Sequence, residues 1–157
     1  MKVYHYTSEQ SLMQIITSNL FYPSYLNPQM DTAFGEGWYF TDLDPDNTPN
    51  EDLEQSLWLR AEPVKSKRFI AFEIDKSLLQ ECRPHVYRLK RGVVDNDVIQ
   101  LNLTYTYTST QTQAIRFVTH GYKKIVFRQY RPNNNNPWGA LSVVALIGLA
   151  IWGLSKS

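Results

Sequence analysis

Val3-Tyr4-His5-Tyr6-Thr7-Ser8 and Gly35-Glu36-Gly37-Trp38-Tyr39-Phe40-Thr41-Asp42 are the two stretches whose reading decides the fold. The first reads as a short strand that ends in a hydroxyl pair and runs into a helix. The second reads as a glycine-rich turn feeding an aromatic strand. Working outward, Thr7 and Gln10 fit the capping-box spacing of a helix start. Leu12, Ile15, Ile16 and Leu20 then fall on one face at helical spacing, with Asn19 as the stop. Phe21-Tyr22-Pro23-Ser24 is an extended exit, since the residue before proline avoids the helical region. Asn27-Pro28 marks a turn within an irregular stretch.

Trp38 to Thr41 is strand-like by composition. Asp44-Pro45 and Thr48-Pro49 punctuate a loop, and Asn50 is expected to cap a short helix with Glu51 and Asp52 in its first turn. Leu53, Leu57 and Trp58 form its inner face. The second half reads mostly as strand: residues 69–75, 85–90, 97–103 and 124–128, with a Thr- and Tyr-rich stretch at 104–112 that fits a strand or an exposed arm and 114–118 that fits a strand or a short helix. The order β, α, β, α and then several strands predicts an α+β fold with antiparallel or mixed sheets rather than a doubly wound repeat.

The 157 residues amount to one domain with an appendage. Aromatics make up 13% of the chain, with ten tyrosines, enough ring surface for a core and a stacking site. A net charge of +1 points to no strongly charged partner. One cysteine, Cys82, excludes an intrachain disulfide framework. There is no phosphate-binding glycine loop, no nucleophile elbow and no zinc motif. His5, His85 and His120 lack metal-ligand spacing, so no metal is expected.

Residues 138–154 carry no charge and reach about 25 Å as a helix, short but usable against a hydrocarbon core of about 30 Å. Trp138 and Trp152 sit near the two ends, where interfacial aromatics belong. The expected organisation is a domain at 1–131, an Asn/Pro linker at 132–137 and a C-terminal apolar, membrane-spanning helix at 138–154. Lys123, Lys124, Arg128 and Arg131 precede that segment and only Lys156 follows it. The positive-inside rule then places the N-terminal domain in the cytoplasm.

The two opening stretches, in this order and with a helix between them, resemble the NAD-binding half of ADP-ribosyltransferases of the diphtheria-toxin and poly(ADP-ribose)-polymerase branch. The continuation Thr41-Asp42-Leu43-Asp44-Pro45 is similar to small toxin-type members with a His-Tyr-Asp signature. The resemblance covers residues 3–46 strongly and the remainder thinly. It implies split antiparallel or mixed sheets with short helices, and NAD as substrate. It assigns His5 to the adenosine-side ribose and the Tyr6 backbone to the nicotinamide amide, with Thr7 beside them and Thr41 close to the nicotinamide.

Physical chemistry fits the same site. A tyrosine face at Tyr39 can hold the planar, cationic nicotinamide ring by stacking and cation–π attraction. Gly35 and Gly37 let the backbone turn sharply and approach a ligand. Cleaving the nicotinamide–ribose bond gives an oxocarbenium-like transition state, which a nearby carboxylate stabilises. Asp97, entering an alternating strand, is the first candidate for that acid. Glu73 is the second, and Asp75 and Asp95 stay open. The implied function is mono-ADP-ribosyl transfer to an unidentified macromolecular acceptor. Transfer to water, making an NAD glycohydrolase, is one alternative; a catalytically inactive, membrane-tethered binding module is another.

Overall fold

The computed structural model describes residues 1–25, 33–102, 105–106 and 113–126. The linker at 132–137 and the predicted apolar helix at 138–154 lie outside the described residues. Among the described residues no helix is long and apolar enough to cross a membrane.

The chain opens with β1 (Lys2–Thr7), followed by α1 (Glu9–Ser18), β2 (Leu20–Phe21), β3 (Gly37–Phe40) and α2 (Asn50–Trp58). Then come β4 (Arg68–Ile74), β5 (Leu79–Arg83), β6 (Val86–Lys90), β7 (Ile99–Gln100), β8 (Tyr105–Thr106) and β9 (Gln113–Tyr122). These form three small antiparallel sheets, ordered β1-β4-β9-β8, β3-β6-β5 and β2-β7. The arrangement is the α+β class that the element order predicts.

Alternation along β1 sets the core. Val3 packs with Leu12, Phe21, Trp38, Phe40, Ile70, Phe72 and Ile99 in the main cluster. Tyr4 and Tyr6 point to the other face, where they meet Ala71 of β4 and Leu53 of α2. Phe72 sits at the centre of the main cluster, fully buried, with the rings of Phe21, Phe40 and Phe117 at 5.8, 5.5 and 6.1 Å. The Trp38 indole N–H donates to the Phe21 carbonyl at 2.9 Å, so β3 is tied to the exit from α1.

Several local expectations shift by a residue or more. Ser8, not Thr7, caps α1, its hydroxyl accepting from the Ser11 amide, while Asn19 ends the helix in the left-handed region as its type suggests. Pro49 precedes α2 as its cap residue, and Asn50 is already inside the helix, with its side-chain oxygen buried and unpartnered. The helix buries Glu54 beside Leu53. That carboxylate accepts from the Ser66 hydroxyl at 2.7 Å and the Glu62 amide at 3.0 Å, which anchors the loop after α2. β9 runs through His120 and Gly121 to Tyr122, and residues 123–126 are not in a strand.

The largest difference concerns the strand expected at 97–103. Asn96 and Asp97 both adopt left-handed backbone, at φ of 59° and 50°, within a 3₁₀ turn at Asp95–Asp97. Only Ile99–Gln100 remains as strand. A strand cannot hold two successive residues in that region, so the alternation at 97–103 overstates its length. Lys123 also departs from its expected role as a charge flanking a membrane span. Its ammonium is buried against the carbonyls of Pro45, Thr48 and Lys124, at 3.2, 2.6 and 3.1 Å.

Candidate active site

β1 and β3 touch and then part, and the site is where they part. The Tyr4 amide donates to the Thr41 carbonyl at 2.8 Å and the Thr41 amide returns a bond to the Tyr4 carbonyl at 2.9 Å. Continuing that antiparallel ladder would pair Tyr6 with Tyr39. It does not continue. His5 Nδ1 instead donates to the Tyr39 carbonyl at 2.9 Å, and Gly37 exchanges both its backbone bonds with Ser24. Backbone groups alternate between the two edges of a strand. The Tyr6 N–H and C=O therefore face the same edge as those of Tyr4, and no described residue takes them.

The glycine turn explains how β3 peels away. Gly37 has φ of +148°, and a Cβ there would lie 2.3 Å from the Leu89 carbonyl oxygen. No larger residue fits that approach to β6. Gly35, at φ of +98°, faces the Arg88 guanidinium. The Tyr39 hydroxyl reaches back to donate to the Gly35 carbonyl, which fixes the ring against the turn.

A cleft of about 600 Å³ opens between these strands. His5, Tyr6 and Thr7 of β1, the cap Ser8 and Ser11 of α1 line it, together with Tyr39 of β3 and Thr41 just after it. Leu57, Trp58, Glu62 and Lys65 come from the end of α2 and the loop that Glu54 anchors. Val86 of β6 also lines it. The expected set His5, Tyr6, Thr7, Tyr39 and Thr41 is thus brought together, with Gly35 and Gly37 supporting it from outside the lining. The Thr41 hydroxyl oxygen accepts from the Leu43 amide, so it starts the following loop as well as facing the cleft.

His5 is chemically defined. A carbonyl only accepts, so the bond to Tyr39 puts the imidazole proton on Nδ1. Nε2 then carries a lone pair with no partner among the described residues. The ring packs against Phe21 at 4.7 Å and Phe40 at 6.5 Å, and burial holds its pKa below the ordinary 6.5. The neutral ring is an acceptor for a hydroxyl. Below about 6.5 the unfolded chain binds a proton that folded His5 resists, so the stability it contributes is complete above 6.5 and declines as pH falls towards the lower folded value. Melting temperatures from pH 8 to 5 will show a steeper acid-side fall in wild type than in His5→Gln. Parallel curves would mean that the ring is not held neutral.

None of the candidate acids lines the cleft. Glu73 lies opposite Lys2 at the far end of β1 and pairs with Arg116 at 2.5 Å. Asp75 caps a 3₁₀ turn through the Ser77 amide. Asp95 and Asp97 share the turn before β7. Asp97 accepts from the Gly92 amide at 2.8 Å and from Arg91 at 2.7 and 2.9 Å, and these two donors, the amide first, hold its carboxyl below the usual carboxylate range. Arg91 also grips Glu36, between the two glycines, at 2.7 Å. Asp97 is therefore linked to the turn that sets Tyr39, whereas Glu73 is not. Among the described residues the acid that does line the cleft is Glu62, tied to Arg60 at 2.7 Å. Nothing in the periodicity of its loop singles it out.

A family model described as HYD1 signature containing ADP-ribosyltransferase matches residues 3–106. The match takes in His5, Tyr39 and Asp97. No curated protein and no solved structure matches the chain.

Proposed function

The chain belongs to the family of HYD1-signature ADP-ribosyltransferases, and from that premise we propose that the cleft binds NAD and transfers its ADP-ribose to a macromolecular acceptor. The observation that carries this reading is the open Tyr6 edge between His5 and Tyr39. An exposed N–H and C=O on one strand edge complement a carboxamide, which offers one acceptor and one donor group. The Tyr39 ring beside that edge supplies a face for the nicotinamide. His5 Nε2 accepts from a ribose hydroxyl.

When the nicotinamide–ribose bond breaks, positive charge develops on the sugar. Asp97 is coupled through Arg91 and Glu36 to the glycine turn, which supports it over Glu73 as the carboxylate that stabilises this charge. The acceptor then attacks the anomeric carbon; water in that place gives NAD hydrolysis.

Labelled NAD tests the reading. Wild-type protein should release nicotinamide and pass label to an acceptor or to free ADP-ribose, and Asp97→Asn should lose both. The separation of every candidate acid from the cleft lining favours one second reading, a fold that binds NAD without cleaving it. Bound but intact NAD in the wild type would decide for it.

We further propose that residues 138–154 anchor the domain to a membrane, with the domain on the cytoplasmic side. Support comes from the uncharged segment, its terminal tryptophans and the preceding Lys124, Arg128 and Arg131. Deleting 138–157 should give a folded protein that no longer sediments with vesicles. An unfolded product would make the segment part of the core instead.

A further inference from the structure

Asp42 and His85 form a pair next in sequence to the cleft-lining Thr41 and Val86, and the pair takes no part in holding NAD as read above. We propose that His85, oriented by Asp42, is the general base that removes the acceptor's proton during ADP-ribosyl transfer; the assignment rests on the transferase reading.

Local structure builds the pair. His85 is the second residue of the two-residue Pro84–His85 turn joining β5 and β6. Its φ is +65°, a left-handed conformation that glycine or asparagine adopts more readily. The side chain therefore occupies a position where backbone geometry alone favours another residue. What it gains is Asp42, whose Oδ1 lies 2.7 Å from His85 Nδ1. The second carboxylate oxygen accepts from the Tyr87 hydroxyl at 3.1 Å, so the carboxylate is held at both ends. Asp42 itself is flanked by two residues pinned to β1. Thr41 is bonded to the Tyr4 backbone, and the Leu43 carbonyl accepts from the Tyr6 hydroxyl at 2.9 Å.

A carboxylate accepts, so it fixes the imidazole proton on Nδ1 and leaves Nε2 as a base. The His85 side chain is 52% exposed, and Nε2 has no partner among the described residues. Neither His85 nor Asp42 lines the cleft itself, but each adjoins a residue that does. Val86 next to His85 and Thr41 next to Asp42 both line the cavity. On the other side of the turn, Arg83 donates to the Leu57 carbonyl at 2.5 Å, and Leu57 also lines the cleft. The hairpin tip is thus fastened to the end of α2. Asp42 is the charged group bonded to the ring; Tyr87 shares that carboxylate, Glu81 stands opposite Tyr87 in the hairpin, and Arg83 leads into the turn.

The step balances with no further reagent. An acceptor hydroxyl oxygen forms a bond to C1′ of the nicotinamide ribose as the C1′–N bond breaks. The electron pair of that bond leaves on nicotinamide, which departs neutral. The hydroxyl proton moves to His85 Nε2, and the imidazolium is stabilised by Asp42 until it loses the proton to solvent. One proton is released per turnover, whether the acceptor is a hydroxyl or water.

The test uses the full chain, NAD, and water as acceptor, with nicotinamide release followed from pH 5.5 to 9. His85→Asn suits the left-handed backbone. It should reduce kcat about 100-fold with KM for NAD within about twofold of wild type. The acid-side fall in rate should vanish. Sodium azide, an anionic nucleophile with no proton to lose, should restore turnover. Asp42→Asn should also reduce kcat and respond to azide, and it serves as the readout if His85→Asn fails to fold by circular dichroism. Wild-type kcat and pH profile in these variants would overturn the base assignment and leave the transferase reading intact. A wild-type chain that releases no nicotinamide would overturn both.

Discussion

Tyr39→Ala will lower nicotinamide release from NAD by about 100-fold, whereas Tyr39→Phe will lower it less than about tenfold. The Tyr39 ring is the aromatic surface set beside the open Tyr6 edge. Stacking with a cationic ring contributes roughly 2 kcal/mol in a desolvated site. Mispositioning of the sugar adds further loss, because rate falls tenfold for about every 1.36 kcal/mol of barrier. The hydroxyl has a different task, donating to the Gly35 carbonyl and so bracing the turn. Its removal loosens the ring without deleting it. The bond from His5 goes to the Tyr39 carbonyl, so both variants keep the link between β1 and β3. Equal melting temperatures would confirm that only the site has changed. Wild-type turnover in Tyr39→Ala would remove this residue from the nicotinamide site.

Phe72→Ala will cost about 3–5 kcal/mol of stability, the range for deleting a buried phenylalanine ring. Phe72 is wholly enclosed and touches rings from β2, from β3 and from β9. Three elements therefore lose contact together, and the neighbouring aromatic rings are too bulky to fill the space. Small domains are held by about 5–15 kcal/mol in total, so the variant sits near the edge of folding. Urea titration at fixed slope measures the loss. A change below about 1 kcal/mol would show that the ring is not the keystone of the main cluster.

How much of this was legible in the sequence depended on range. His5 and Tyr39 could be read because each sits in a local pattern, an alternating strand or a glycine turn before aromatics. The helix after Ser8 was legible for the same reason. Local alternation misled at Asp97, where two left-handed residues break a strand that the apolar spacing suggests. Contacts between distant residues left no periodic trace. Asp42 meets His85 across 43 positions and Lys123 meets Thr48 across 75. The open Tyr6 edge is a negative feature: it exists because β3 turns to Ser24, and no residue type announces that. Glu54 was hidden by its neighbours, since an acid in a short polar helix reads as solvated until Ser66 and Glu62 are placed around it.

β9 pairs with β4 from Arg68↔Tyr122 to Ile74↔Ile115 and lies inside the sheet, between β4 and β8. Yet it begins after residue 106, where the family match stops. The recognisable signature and the cooperative folding unit are therefore different lengths of chain. A gene fragment trimmed to the signature would leave β4 with a bare hydrogen-bonding edge, the kind that recruits any extended chain it meets. The same break makes a natural split point: a peptide spanning 113–126 carries the missing strand and the Lys123 clamp, so two halves can be made separately and reassembled without a covalent join.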